Sequence, residues 1–341
     1  MRRWLLLAAA GAIAVAACTE TPTPTSALNP TAPEFLELQG QSPRLHIMLR
    51  KPGPDASARL KTSGTGIVYH GGPVVYVTKV AAIYWSSSTI YNGGPVPGGA
   101  GSGTQDGSLV GFFLRNLGGS PYFNVNTTYY DGTGTHVQNS VTYTQFWADA
   151  NGPSGAVSDA QVQQEVLTAF TSGALTYDPS TLYAVFSGPG VNLGGGFGTK
   201  YCAYHGHFSS PRGDVKYAVM PYDWSDPAGC SAITGSGPNG DPAADAEVNT
   251  LAHETEEATT DEDLNAWYDR LGYENADKCA WTFGTTYTTT SGSTANMNLG
   301  GKDFLIQRNW VNAGSGGCVR RAEGPGALVG VLVPQIGRAH V

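Results

Sequence analysis

Residues 241–260 read DPAADAEVNTLAHETEEATT, and the reading of this stretch decides the fold. Asn239-Gly240 before it is a turn signal. Asp241 can cap a helix, and Pro242 suits its first position, where no N–H is needed. Asp245 and Glu247 favour the positive end of the helix dipole. Val248, Leu251, Ala252, Thr255 and Thr259 share one face at a period of 3.6 residues. His253 and Glu257 fall nearly opposite that stripe and stack on adjacent turns, four residues apart. One ion could bridge them, as an ion bridges the histidines of H-E-x-x-H helices. The alternative is a solvated face. Yet Glu254, Glu256 and Glu257 crowd together with no lysine four residues on, and such acids repel one another unless a cation offsets them.

A third ligand is expected downstream, where GYENADKC offers Glu274 and Asp277. With Glu274 as the ligand, Asp277 would hold the His253 imidazole through its other nitrogen; the two acids can also exchange these roles. His70, His205 and His207 are further candidate ligands. One imidazole with two carboxylates suits Zn²⁺, and the oxygen-rich set also admits Ca²⁺ or Mn²⁺.

Around this helix the chain alternates helical and extended segments. GIVYHGGPVVYVTKVAAIYW suggests two strands about a turn at His70 to Pro73. DGSLVGFFLRNLG reads as a helix ended by Gly118, and HVQNSVTYTQFW as a strand. SDAQVQQEVLTAFTSG is a helix capped by Ser158 and stopped near Gly173. TLYAVFSG and VKYAVMPY are buried strands. GVNLGGGFGTKYCAYHGHF between them reads as a glycine-rich loop, and GKDFLIQRNWVN as one strand. The segment up to about residue 65 looks polar and irregular. The expected fold is α+β or α/β: a single domain over 46–321, with a mixed sheet and a zincin-like active-site helix.

The first 17 residues have two arginines and an apolar run, the pattern of a secretory signal. Val15-Ala16-Ala17-Cys18 resembles a bacterial lipobox, so Cys18 is the expected lipidation site, anchoring the chain to a membrane. Residues 18–45, rich in Thr and Pro, would be the tether. The expected location is the periplasm or cell exterior of a bacterium. Cys202, Cys230, Cys279 and Cys318 then remain, an even number that reads as two disulfides. Of three pairings, Cys202–Cys230 and Cys279–Cys318 close the most local loops. Residues 322–341 are set aside, because IGRAHV is what one reading frame of a common sequencing adapter encodes. The formal net charge of −8, with no basic stripe, argues against nucleic acid as a partner.

YHGGPV, CAYHGHF, AHETEEATTDEDLNAWYD and ENADKC together resemble the exordium-like, or phosphate-induced, family over roughly residues 65–318. That family pattern runs near A-H-E-x-x-E, N-A-W-Y, then E-x-x-D-x-C, matched by His253, Glu254, Glu257, Asn265 to Tyr268, Glu274, Asp277 and Cys279. The resemblance implies secreted cell-wall proteins and carries no settled enzymatic activity. H-E-x-x-E with a downstream acid also resembles a zincin metallopeptidase site whose second histidine is replaced. That likeness makes His253, Glu257 and Glu274 the metal ligands and Glu254 the general base. Two functions are therefore expected in competition, with the chain a monomer in either case. One is a lipid-anchored metallohydrolase acting on peptides. The other is a non-catalytic envelope protein that binds cell-wall polysaccharide and uses the ion structurally.

Overall fold

The computed structural model describes residues 45–52, 66–193 and 196–322. In chain order the first elements are β1 (Leu45–Leu49), β2 (Val68–Tyr69), β3 (Thr78–Trp85), β4 (Ala100–Ser102), α1 (Leu109–Leu117) and β5 (Val141–Asp149). Then come β6 (Gly155–Val157), α2 (Asp159–Thr171), β7 (Thr181–Ser187), β8 (Val191–Leu193), β9 (Tyr201–Ser210) and β10 (Gly213–Met220). Two helices follow, the single turn α3 (Pro227–Cys230) and the long α4 (Pro242–Thr260). After β11 (Trp267–Tyr268) the chain makes three small hairpins: β12 (Tyr287–Thr288) with β13 (Thr294–Ala295), β14 (Met297–Leu299) with β15 (Lys302–Phe304), and β16 (Asn309–Val311) with β17 (Gly317–Val319).

Seven strands form one mixed sheet in the order β1-β9-β10-β7-β3-β5-β4. The central strands β10, β7, β3 and β5 run parallel, while β1, β9 and β4 are antiparallel to their neighbours. β7 is buried along its whole length, as its unbroken apolar run demands of a strand covered on both faces. The period of two sorts side chains between two cores. Val80, Ala82, Leu182, Ala184, Phe186 and Ala218 face α1 and α4. Ala81, Ile83, Tyr183, Val185, Tyr217 and Val219 face α2 on the other side. The result is the expected mixed α+β architecture.

Helix boundaries follow the local signals. Gly118 is the C-cap of α1. Ser158 begins α2, its N–H donating to Gln161 Oε1 at 2.9 Å. Asp241 caps α4, accepting from Ala244 N at 3.2 Å, with Pro242 in the first turn. Four expectations change. Leu45–Leu49, within the supposedly irregular segment, is an edge strand of the main sheet. The supposed glycine-rich loop continues into β9, ten residues long. GKDFLIQRNWVN splits into β15 and β16, which pair in separate hairpins. β2 and β3 also do not pair with each other: β2 joins β11, and β3 enters the main sheet.

Both expected disulfides are present. Cys202–Cys230 ties β9 to α3, and Cys279–Cys318 ties the turn after Asp277 to β17. Among the described residues, no helix is long and apolar enough to cross a membrane. Cys18 and the signal and tether segments lie outside the described residues.

Candidate metal centre

Helix α4 has no wet face. Every residue from Ala243 to Thr260 is buried. Val248, Leu251 and Ala252 enter the core shared with Phe113 and Leu114 of α1. The opposite face, carrying His253, Glu254 and Glu257, looks toward the β1–β9 end of the sheet and the 272–277 turn. Acids placed there cannot be solvated, so their partners must come from the protein or from an ion.

Two of those partners come from the sheet. Leu45 and Ile47 of β1 pack on the α2 side, so His46 between them points the other way, toward α4. In β9, Tyr204 packs on the α2 side and His205 points toward α4. The antiparallel register sets His46 directly opposite His205. Their rings lie 5.5 Å apart between centroids. His46 Nδ1 is 3.1 Å from Glu257 Oε2 and 3.6 Å from Glu274 Oε1. His205 Nδ1 is 3.7 Å from Glu257 Oε2, and its Nε2 is 3.7 Å from Glu274 Oε2. His46, His205, Glu257 and Glu274 each bring one ligand atom within 4.8 Å of the others, and all four are buried. Four donors held about 2.0–2.2 Å from a tetrahedral zinc would sit about 3.3–3.6 Å from one another.

Groups behind these atoms orient them. Gly272 O and Asp277 Oδ2 each lie 3.2 Å from His46 Nε2. His205 Nδ1 lies 3.0 Å from Glu254 Oε2. Both nitrogens of His46 thus face acceptor oxygens, and a neutral imidazole has only one N–H to offer. Either a second proton or a cation must fill the other position. With no cation, burial opposes a charged His46, but Asp277 and Glu257 prevail and push its pKa up to about 10. Burial instead holds the His205 pKa down at about 3, and its Nε2 has no hydrogen-bond partner. Burial likewise pushes the carboxyls of Glu254 and Glu274 well above the usual range. Burial also opposes ionisation of Glu257, yet His253 and His46 hold its pKa below that range.

The residues expected from sequence divide into two sets that share Glu257. Glu274 joins His46 and His205, while His253 joins Asp277. His253 Nε2 is 3.1 Å from Glu257 Oε1 and 3.5 Å from Asp277 Oδ1. Asp277 therefore approaches the same nitrogen as Glu257. The other nitrogen, expected to be held by Asp277, lies 2.8 Å from Gln307 Nε2. Glu254 reaches back to His205. His70 lies apart, stacked on Tyr268 at 3.7 Å between centroids. His207 joins Asp214 at 2.9 Å. His46 and Gln307 were missed from sequence. The signal for His46 was Leu45, Ile47 and Leu49, an alternation too short to stand out beside a polar segment.

The model of the phosphate-induced protein 1 conserved region matches residues 118–307, more than half of the chain. Protein EXORDIUM-like 5 of Arabidopsis thaliana is 26% identical over 246 residues, covering 60% of this chain and 67% of that protein. No solved structure matches the chain. The matched region takes in α4, β9 and the 274–277 turn, and on that match the chain belongs to the phosphate-induced protein 1 family.

Proposed function

We propose that this chain is an exported envelope protein whose fold is closed around a divalent cation held by His46, His205, Glu257 and Glu274. One observation carries this reading. Two imidazoles from paired strands and two carboxylates from α4 and its following turn meet in the interior, their backs held by Gly272, Asp277 and Glu254. Histidine ligands of metals typically present one nitrogen to the ion and tie the other to a carbonyl or carboxylate. The set ranks zinc first and manganese second, because two imidazoles disfavour calcium, a hard ion that takes oxygen ligands.

A structural role fits better than peptide hydrolysis. Catalytic zinc sites keep a position open for water, whereas structural sites close it with protein atoms. Here four protein donors surround one point, and His46, His205, Glu257 and Glu274 are each at most 1% exposed. Glu254, the general base of the metallopeptidase reading, is fully buried and engaged with His205. Two disulfides agree with an oxidising compartment, hence with export, and the lipobox-like run Val15 to Cys18 is what supports a lipid anchor. Tyr130, 37% exposed, packs on Tyr69 and Trp267, and Tyr76, 39% exposed, reaches the neighbouring Asp131 with its hydroxyl. Such rings suit stacking against a wall polysaccharide.

Chelation tests the proposal. Stripping the cation should lower the melting temperature, and zinc should restore it. A fold indifferent to chelation, or zinc-dependent cleavage of peptides abolished by Glu254→Gln with metal retained, would overturn the structural reading.

A further inference from the structure

We infer that the centre holds two cations rather than one, with Glu257 bridging them and His253 and Asp277 completing the second position. This rests on the cation reading above and extends it. The two oxygens of Glu257 serve different sets: Oε2 faces His46 and His205, while Oε1 is 3.1 Å from His253 Nε2. Asp277 is divided in the same way, with Oδ1 3.5 Å from His253 Nε2 and Oδ2 3.2 Å from His46 Nε2. His253 Nε2 is fully buried and makes no well-aligned hydrogen bond, although two carboxylate oxygens flank it at 3.1 and 3.5 Å. An imidazole nitrogen aimed between two carboxylates is an arrangement that a proton or a cation satisfies, and a cation is what the shared Glu257 and Asp277 favour. Carboxylate-bridged ion pairs have separations of about 3.5–4 Å, a span that the two oxygens of one carboxylate can bridge.

Charge supports the pair. Glu254, Glu257, Glu274 and Asp277 are all buried within this cluster. With all four carboxyls ionised, as ligation would have them, one dication would leave two of their four negative charges unbalanced in the interior, and two dications would balance them. Glu256 and Asp261 stand outside this count because they are held separately, Glu256 by Asn309 and Asp261 by the N–H groups of Asn265 and Ala266. Asp277 also couples the positions: while Oδ1 faces the second ion, Oδ2 can accept from His46 Nε2–H and turn Nδ1 toward the first. Gln307 sets the condition for loading. Ligation through His253 Nε2 places the ring proton on Nδ1, so the Gln307 amide must turn its oxygen toward it. That half-turn gives up the 3.2 Å bond to Ala276 O and the 3.3 Å bond from Trp281 N. The second ion is therefore expected to bind more weakly than the first.

The test is loading of the metal-free full chain with Zn²⁺, counted by elemental analysis, and with Mn²⁺, followed by electron paramagnetic resonance. The expected result is two ions per chain and an exchange-coupled manganese signal. In His253→Gln and in Asp277→Asn the count should fall to one and the signal should become that of isolated manganese. One ion per chain in the wild type with an uncoupled signal overturns the inference and leaves the single-cation reading standing. Two ions in both variants also overturns it. No bound ion at all overturns the cation reading itself. The wild-type titration requires no variant to fold.

Discussion

Replacing Glu254 by glutamine separates the two roles that this residue could have. In the structure Glu254 Oε2 lies 3.0 Å from His205 Nδ1, and both side chains are fully buried. The substitution keeps the size and an acceptor oxygen but removes the charge. A hydrogen bond to a charged group contributes about 1.5–3 kcal/mol and a neutral one about 1, so about 0.5–2 kcal/mol of support for His205, a proposed ligand, is lost. At 1.4 kcal/mol per tenfold, zinc affinity should fall by about 2- to 30-fold. Measured losses for groups that orient metal ligands lie in the range of about 10- to 100-fold. The metal-free protein should behave differently. Without the ion, burial already pushes the Glu254 carboxyl well above the usual range, so the substitution should leave the apo melting temperature nearly unchanged. Competition against a chromophoric chelator measures the affinity, and thermal melts with and without zinc measure the rest. An affinity within about twofold of wild type would refute the orienting role.

Further expectations concern the frame around the centre. Replacing both Cys279 and Cys318 by serine opens a 39-residue separation, and loop entropy then predicts a loss of about 4 kcal/mol, read by chemical denaturation. Asp241→Ala removes the α4 cap and should cost about 1 kcal/mol in the same assay. Gly118→Ala places a methyl 2.4 Å from Val141 N and 2.6 Å from Val141 O, backbone that cannot step aside, and should cost about 1–3 kcal/mol. Glu165, on the α2 side, has its pKa pushed from 4.5 up to about 8 by burial and then by Asp149. Its folded state therefore holds the proton more tightly, a stabilisation complete below 4.5 and lost as pH rises through 8. Glu165→Gln should flatten the fall in melting temperature between pH 5 and pH 8.

Much of this frame could be read from the chain, because local signals act alone. Asp241-Pro242 starts α4 and Gly118 ends α1 whatever surrounds them. The unbroken apolar run of β7 announced a strand buried on both faces. The environment of α4 was harder to read. A helix with one apolar stripe normally turns its charges to water, and only the tertiary structure shows Glu254, Glu256 and Glu257 sealed inside. The proposed ligand set was half visible for a related reason. His253, Glu257, Glu274 and Asp277 lie close in sequence, while His46 and His205 reach them through strand pairing across 211 and 49 residues. No spacing rule spans such distances. Glycines before Tyr201 also disguised β9 as a loop, which hid the face on which His205 sits.

The central claim is that a cation holds α4 to the β1–β9 end of the sheet. The most direct measurement is the metal content of the purified chain, taken together with its melting temperature before and after chelation. The account predicts zinc or manganese at a whole-number ratio, and a melting temperature that falls when the ion is removed and returns when it is restored. A metal-free chain that melts at the same temperature with or without added zinc would contradict it.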